Sequence, residues 1–264
     1  MDLKLTNKKA LVTGSTAGIG LAIAFSLAEE GAAVIINGRT QERVDEAITR
    51  IRQINGDARV SGFAADLGTT EGVARLTGAI ASVDILINNL GIFEAKAFTD
   101  ITDAEWLKIF EVNVLSGVRL SRFYLPQMMK QNWGRIVFIS SESAIQIPAE
   151  MIHYGVTKTA QLALARGLAE TTAGSNVTVN TVLPGPTRSE GVGGFIEDLA
   201  RAKKTDTASV EKEFFQNMCP TSLLKRFERP EEIGALVTYV CSPVASGTNG
   251  AALRVDGGVV RSIV

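Results

Sequence analysis

Short apolar runs alternate along this chain with longer stretches whose apolar residues return every three or four positions. The runs predict strands near residues 9–13, 33–37, 59–64, 84–88, 135–140, 177–183 and 251–255. The periodic stretches predict helices over most of 18–30, 41–55, 69–81, 103–131, 151–173 and 230–241. Strand, helix and strand in repetition imply parallel neighbours, because a parallel pair needs a crossover connection, and the crossovers put helices on both faces. The expected fold is therefore α/β, a single-domain, doubly wound parallel sheet of about seven strands. No linker divides residues 1–264. Ligands of such sheets bind at the carboxyl ends of the strands, near the point where strand order reverses. Thr13, Asn88, Ser140 and Leu183 each finish a predicted strand, so Gly14, Asn89, Ser141 and Pro184 are expected to converge on one crevice.

One segment, about 187–226, is too long for a plain connection. Its apolar residues Val192, Phe195, Ile196 and Leu199, then Val210, Phe214, Phe215 and Met218, recur near helical spacing and predict two short amphipathic helices. A substrate lid is the expected role. Their apolar faces would line a pocket, join a subunit contact or pack on the core, packing being the commonest fate of such a stripe.

A chain of 264 residues with 45% hydrophobic content can build one large core. A net charge of −1 gives no electrostatic case for nucleic acid or an anionic membrane surface. Cys219 and Cys241 make no disulfide framework, and with His153 the only histidine a metal site is not expected. The stretch from Met1 to Lys9 has no apolar run long enough for a signal peptide or a membrane span, so a soluble cytoplasmic protein is the default expectation.

Chemistry enters at three places. Thr13-Gly14-Ser15-Thr16-Ala17-Gly18-Ile19-Gly20 lies between a predicted strand and a predicted helix. Gly14 suits a turn closed to larger residues, Gly18 lets backbone approach a phosphate, and Gly20 permits tight packing of helix on strand. Free N–H groups at the helix start would face a pyrophosphate. The spacing G-x-x-x-G-x-G only approximates the usual dinucleotide motif, and a ligand-free turn is the bland alternative. At the end of the second strand stand Gly38 and Arg39. An acid there would bind both ribose hydroxyls of NAD and repel a 2′-phosphate, whereas the planar cationic fork of Arg39 suits that phosphate. NADP is thus favoured and NAD less so, with Arg39 stacked on adenine or facing solvent as alternatives. Finally, Tyr154 and Lys158 are four residues apart on a predicted helix, thirteen residues after Ser141. Positions i and i+4 share a face, so the lysine charge would favour the phenolate and bring the tyrosine toward a working acid–base pKa.

Together these motifs resemble the short-chain dehydrogenase/reductase family, with a Rossmann-like fold, and the resemblance covers nearly the whole chain. Asn88-Asn89-Leu90-Gly91 is similar to the family's N-N-A-G turn, with leucine in place of alanine. Asn113 stands as the family's helix-borne asparagine does, Ser141 has the family's spacing from the tyrosine, and Pro184-Gly185 matches the P-G turn beside the nicotinamide. Asp66-Leu67 resembles an adenine-contacting pair, although Asp66 could instead cap the next helix. Asp256-Gly257-Gly258 resembles the final turn, and the apolar residues 259–264 beyond it suggest burial. Within the family the likeness is to 3-oxoacyl-carrier-protein-reductase-like and uncharacterised oxidoreductase members.

The resemblance implies hydride transfer between a nicotinamide and a small carbonyl or alcohol substrate, with the cofactor carrying that chemistry. Tyr154 is then the general acid/base, Ser141 a hydrogen-bond donor to the same oxygen, and Lys158 the group that lowers the tyrosine pKa and binds the ribose. Asn113 would hold a water linking Lys158 to solvent. Cofactor contacts are implied for Gly14, Ser15, Thr16, Gly18, Ile19, Gly20, Arg39, Asp66, Leu67, Asn89, Gly91, Tyr154, Lys158, Pro184, Gly185 and Thr187. Pocket walls are expected from Ile145-Gln146-Ile147 and Met151-Ile152-His153, with His153 more simply a hydrogen-bonded side chain than a second acid–base group. The family's habit of forming tetramers implies a homotetramer. Two alternatives stand beside the NADP-dependent reductase: an NAD-linked polyol, sugar or alcohol dehydrogenase, and a nucleotide-sensing regulator or scaffold on the same fold.

Overall fold

The computed structural model describes residues 2–263, apart from the side chains at 191 and 195. The expectations for Phe195 and Val264 lie outside the described residues. The strands are β1 (Lys9–Val12), β2 (Ala33–Gly38), β3 (Val60–Ala64), β4 (Ile85–Asn88), β5 (Gly134–Ile139), β6 (Val177–Pro184) and β7 (Ala252–Val255). They form one sheet in the order β3-β2-β1-β4-β5-β6-β7, parallel at every pairing. Every residue of β4, β5 and β6 is buried, as expected of parallel strands covered on both faces. Chain order reverses across β1 and β4, which opens a crevice above their carboxyl ends.

The helices are α1 (Gly18–Glu29), α2 (Gln41–Ile54), α3 (Thr70–Ala79), α4 (Asp103–Phe110), α5 (Ser116–Lys130), α6 (Ile152–Thr171), α7 (Glu190–Lys203), α8 (Thr207–Asn217) and α9 (Pro230–Cys241). Alternate strand residues face opposite sides and build two cores. Ala10, Val12, Ile36 and Ile87 pack with Ile23 and Leu27 of α1, Val44 of α2 and Val237 of α9. Leu11, Ile35, Leu86 and Phe138 pack with Leu76 of α3, Leu120 and Tyr124 of α5 and Ala165 of α6.

Three expectations need correction. The stretch 103–131 is not one regular helix: a π-helical segment, Glu111–Leu115, separates α4 from α5. Asp66 does not cap α3, because Thr69 accepts the hydrogen bond from Gly72 N–H while Asp66 Oδ1 turns back to Gly68 N–H. Beyond β7, Val259 and Val260 are buried as the apolar tail suggested, but Ile263 is 98% exposed.

The 187–226 segment does contain two helices, α7 and α8. Ile196 and Ala200 of α7 pack with Val210 and Phe215 of α8 and with Phe227. The Phe214 and Phe215 rings lie 4.8 and 5.0 Å from the Phe227 ring. This part of the stripe is spent on packing, whereas Met218 and Leu223 remain exposed.

Candidate active site

A hydrogen-bonded collar shapes the turn after β1. Thr13 Oγ1 accepts from the N–H groups of Asn89 and Leu90, both at 2.9 Å, and Asn89 Nδ2 donates to the carbonyls of Thr13 (2.9 Å) and Gly14 (3.0 Å). From β2, buried Asn37 accepts from Gly14 N–H through Oδ1 and donates through Nδ2 to the carbonyls of Phe63 and Ala65. Gly14 and Gly18 have φ of 60° and 55°, the left-handed region that glycine enters without a steric penalty. A side chain at Gly20 would meet Asn89 and the Gly14 carbonyl at 2.5 Å, so this glycine lets α1 close on the turn. The Ser15 hydroxyl is fully buried between Val12 O and Asn37 N–H, so any cofactor contact from Ser15 must come from its backbone; Asn89 Nδ2 is occupied by the two carbonyls of the turn.

Among the described residues the N–H groups of Gly18, Ile19 and Gly20 have no partner; α1 has no side-chain cap and no acid in its first turn. Such an N-terminus presents donors and a positive partial charge to an anion. At the end of β2 a side chain on Gly38 would strike Thr16 Cγ2 at 2.4 Å, so Thr16 occupies the place an acidic residue would need. Arg39 is exposed and, among the described residues, makes no ion pair or hydrogen bond. Asp66 is exposed as well, while the Leu67 side chain is buried in the core and leaves only backbone to the crevice. A donor cradle beside an unpaired guanidinium fits a nicotinamide dinucleotide.

On the other side of the crevice, Ser141 follows β5 and caps a short 3-10 turn, Glu142–Ala144, by accepting from Ser143 N–H at 3.1 Å. Tyr154 and Lys158 project from the first turns of α6. Lys158 Nζ lies 5.5 Å from the Tyr154 ring centroid and donates to Ile139 O at 2.9 Å. Burial lowers its pKa to about 8, with the Glu142 carboxylate opposing that shift. Tyr154 moves the other way from the expectation. Burial and then the Glu142 carboxylate push the phenol well above its ordinary pKa, against a weaker lowering by its hydrogen bond with Ser141. Helical spacing set the distance between phenol and ammonium; desolvation of the phenol sets the direction in which its pKa moves.

The π-helical segment delivers Asn113 into the interior. Its side chain accepts from Ile92 N–H (2.8 Å) and donates to Ile92 O (2.9 Å) and Thr157 Oγ1 (3.0 Å). Its main-chain oxygen accepts from Gln161 Nε2 at 2.5 Å, and Gln161 Oε1 lies 3.5 Å from Lys158 Nζ. Lys158 is thus joined to Asn113 through a side chain. Gly91 closes the group, since a side chain there would come within 3.4 Å of Lys158 Nζ.

Gln161, Glu142 and Phe93 carry no expectation from sequence. Gln161 shares the Lys158 face of α6, which was a usable signal. Glu142 is one residue beyond Ser141. Its Oε2 is 2.5 Å from Ser141 Oγ, and burial raises its pKa. Phe93 is in an irregular loop; it stands 68% exposed with its ring edge-on to Tyr154 at 6.1 Å. Ile145 and Ile147, expected as pocket walls, are 44% and 46% exposed near the same mouth. His153 departs from expectation: it is buried edge-to-face against Trp106, with Nδ1 lacking a hydrogen-bond partner. A side chain on Gly185 would meet the Asp256 backbone at 2.8 Å, Thr187 Oγ1 donates to Gly185 O, and buried Glu228 accepts from Gly185 N–H at 3.0 Å. Leu90 fills space beside the glycine turn, with Cδ1 3.5 Å from where a Gly14 side chain would begin.

A parallel sheet with a cradle of backbone donors and a serine, tyrosine and lysine across the crevice defines a dinucleotide-dependent oxidoreductase. The chain belongs to the short-chain dehydrogenase/reductase family: a sequence model of that family, described as short chain dehydrogenase, matches residues 8–199. It is 52% identical to the uncharacterized oxidoreductase YvaG of Bacillus subtilis over the full length of both. It is 34% identical to the 3-oxoacyl-[acyl-carrier-protein] reductase FabG of Aquifex aeolicus, covering 98% of this chain and 100% of that one. The structure of L-sorbose reductase from Gluconobacter frateurii complexed with NADPH and L-sorbose matches with a TM-score of 0.93 and 30% identity over the whole of both chains. The chain is accordingly an NAD(P)-dependent dehydrogenase/reductase that acts on a small molecule. Among the described residues no helix is long and apolar enough to cross a membrane, and no group of three or more His, Cys, Asp or Glu could hold a metal.

Proposed function

We propose that this chain is an NADP-dependent oxidoreductase that moves a hydride between the nicotinamide and a carbonyl or secondary alcohol carbon, with Tyr154 as general acid/base. The observation that carries the reading is the grouping of Ser141, Tyr154 and Lys158 at one end of the crevice: Ser141 caps the turn that packs on α6, and the ammonium stands 5.5 Å from the Tyr154 ring. A neutral phenol is the form needed to give a proton to an oxygen that becomes an alkoxide as hydride arrives at its carbon. Ser141 supplies a second, fixed donor to that oxygen. Lys158, retained by Ile139 O and Gln161, would hold the ribose and carry the proton supply toward Asn113.

The dinucleotide supplies the hydride when bound. The pyrophosphate belongs at the free N–H groups of residues 18–20 and the 2′-phosphate at Arg39, where Gly38 presents no repelling carboxylate. The NADPH of the L-sorbose reductase complex supports this preference over NAD. The substrate enters past Phe93, Ile145 and Ile147, an apolar rim suited to a partly apolar carbonyl compound, with residues 187–226 as its lid. Leu107, Phe110 and Phe123, exposed on α4 and α5 and their junction, and exposed Ile263 offer apolar surface for a homotetramer to cover.

Titration of the purified protein with NADPH and NADH tests the cofactor reading, and a carbonyl screen that includes L-sorbose and β-ketoacyl thioesters tests the reaction. NADPH is expected to bind more tightly and to be oxidised by at least one carbonyl. Tyr154→Phe should cut that turnover by about 10²–10⁴; near-normal turnover would refute the acid–base role.

A further inference from the structure

Ser141 has one hydrogen to give and two lone pairs to share. One lone pair takes the Ser143 N–H at 3.1 Å. The Glu142 carboxyl lies 2.5 Å from the same oxygen through Oε2, while its Oε1 is 3.4 Å from Ser143 Oγ. If Glu142 is ionised, it can only accept, and it captures the single Ser141 hydrogen. The serine then has nothing left to donate to a substrate oxygen. If Glu142 carries its proton, it donates to the second lone pair, both acceptor sites are filled, and the Ser141 hydrogen is directed at Tyr154 or at the substrate oxygen in its place.

We propose that Glu142 is a positioning residue for the reduction, a carboxylic acid that donates to Ser141 Oγ and so commits the serine hydroxyl to the reacting oxygen. The proposal rests on the reading that Ser141 and Tyr154 serve a carbonyl or alcohol oxygen. Glu142 acts through Ser141 and need not touch the substrate.

The surroundings agree. Burial raises the Glu142 pKa despite its hydrogen bonds with Ser141 and Ser143. The groups that feel its charge are Tyr154 and Lys158 on α6, Cys219 after α8, and Glu228 before α9. Lys158 is the cation among them and favours the carboxylate form. Glu228 carries a like charge when ionised and disfavours a second carboxylate nearby. A carboxyl group kept neutral so that it can donate a hydrogen bond is an established device for stabilising a developing oxyanion.

Two readouts test the proposal. The first needs no turnover: the infrared difference spectrum of NADPH-loaded wild type minus NADPH-loaded Glu142→Gln at neutral pH. The expected result is the carbonyl stretch of a protonated carboxylic acid, removed by the substitution; only a carboxylate signal would overturn the proposal. Because this spectrum is independent of substrate, it stands even if the carbonyl screen fails. The second is the pH profile of kcat. Glutamine keeps an N–H donor for Ser141 and cannot ionise. Turnover of Glu142→Gln near neutral pH should therefore stay near the wild-type value, and its basic limb should move to higher pH or vanish. A merely electrostatic role predicts the reverse, because loss of a negative charge lowers the Lys158 pKa and draws the limb to lower pH. That shift, or an unchanged limb, would overturn the assignment. Glu142→Leu, which offers Ser141 no donor, should lose more turnover than Glu142→Gln, up to the loss of about 10²–10³ that follows removal of an oxyanion donor; equal loss in both would count against the donor role.

Discussion

Replacing Arg39 with alanine removes a guanidinium that has no partner among the described residues and stands at the end of β2, where we place the 2′-phosphate. A hydrogen bond to a charged group contributes about 1.5–3 kcal/mol, or about ten- to 150-fold in Kd at roughly 1.4 kcal/mol per decade. Arg39 is exposed, so solvent and salt screen it and the loss should sit near the lower bound, about tenfold for NADPH, shrinking as ionic strength rises. NADH lacks the phosphate and should bind Arg39→Ala as it binds wild type. The neighbouring position supplies an independent check. A side chain on Gly38 would meet Thr16 Cγ2 at 2.4 Å and Val44 Cγ2 at 3.3 Å. Gly38→Asp alone should therefore disturb the turn and weaken both dinucleotides. Gly38→Asp with Thr16→Ala should recover NADH binding but not NADPH binding, with a coupling of about 0.5–3 kcal/mol between the two sites. Calorimetric titration of each dinucleotide at low and high salt reads all of these. If Arg39→Ala weakens NADPH and NADH equally, the guanidinium stacks on adenine instead; if it weakens neither, Arg39 faces solvent and the preference for NADP loses its basis.

Gln161→Leu should sever the link from Lys158 to Asn113 and leave the Asn113 carbonyl without its side-chain donor. Proton-coupled turnover should fall about tenfold or more and shift its pH profile, while NADPH affinity changes little; a profile identical to wild type would make Gln161 a packing residue only. Glu228 offers a pH test of stability. Burial raises its folded pKa from 4.5 to about 7, so the stability tied to its proton is fully present below the unfolded value and is lost as pH rises through 7. The loss is up to about 3 kcal/mol. Thermal unfolding of wild type should lose Tm across that window, and Glu228→Gln, which can still accept from Gly185 N–H, should flatten the dependence. A parallel decline in both proteins would assign the effect to other groups.

Legibility differed between scaffold and site for physical reasons. The strands could be read because parallel strands buried on both faces are continuous apolar runs, and Gly14, Gly18 and Gly20 because a backbone turn constrains residue type locally. The π-helical segment could not be read: one wide turn changes no residue type in a long amphipathic stretch, yet it is what carries Asn113 to Gln161. Asn37 was a polar residue in an apolar strand, a signal that gains meaning only when β1 and β3 are seen to flank it. The tyrosine shows the sharper limit. Spacing of four residues correctly brings Lys158 beside Tyr154, but the charge state of each depends on how much water the folded crevice admits and on a carboxyl group that arrives from the end of another strand. The same dependence makes Glu142 informative. A glutamate next to the site serine reads as an ordinary polar turn residue until its 2.5 Å contact with Ser141 is known, and only then does the number of hydrogens on that serine become a constraint on the chemistry.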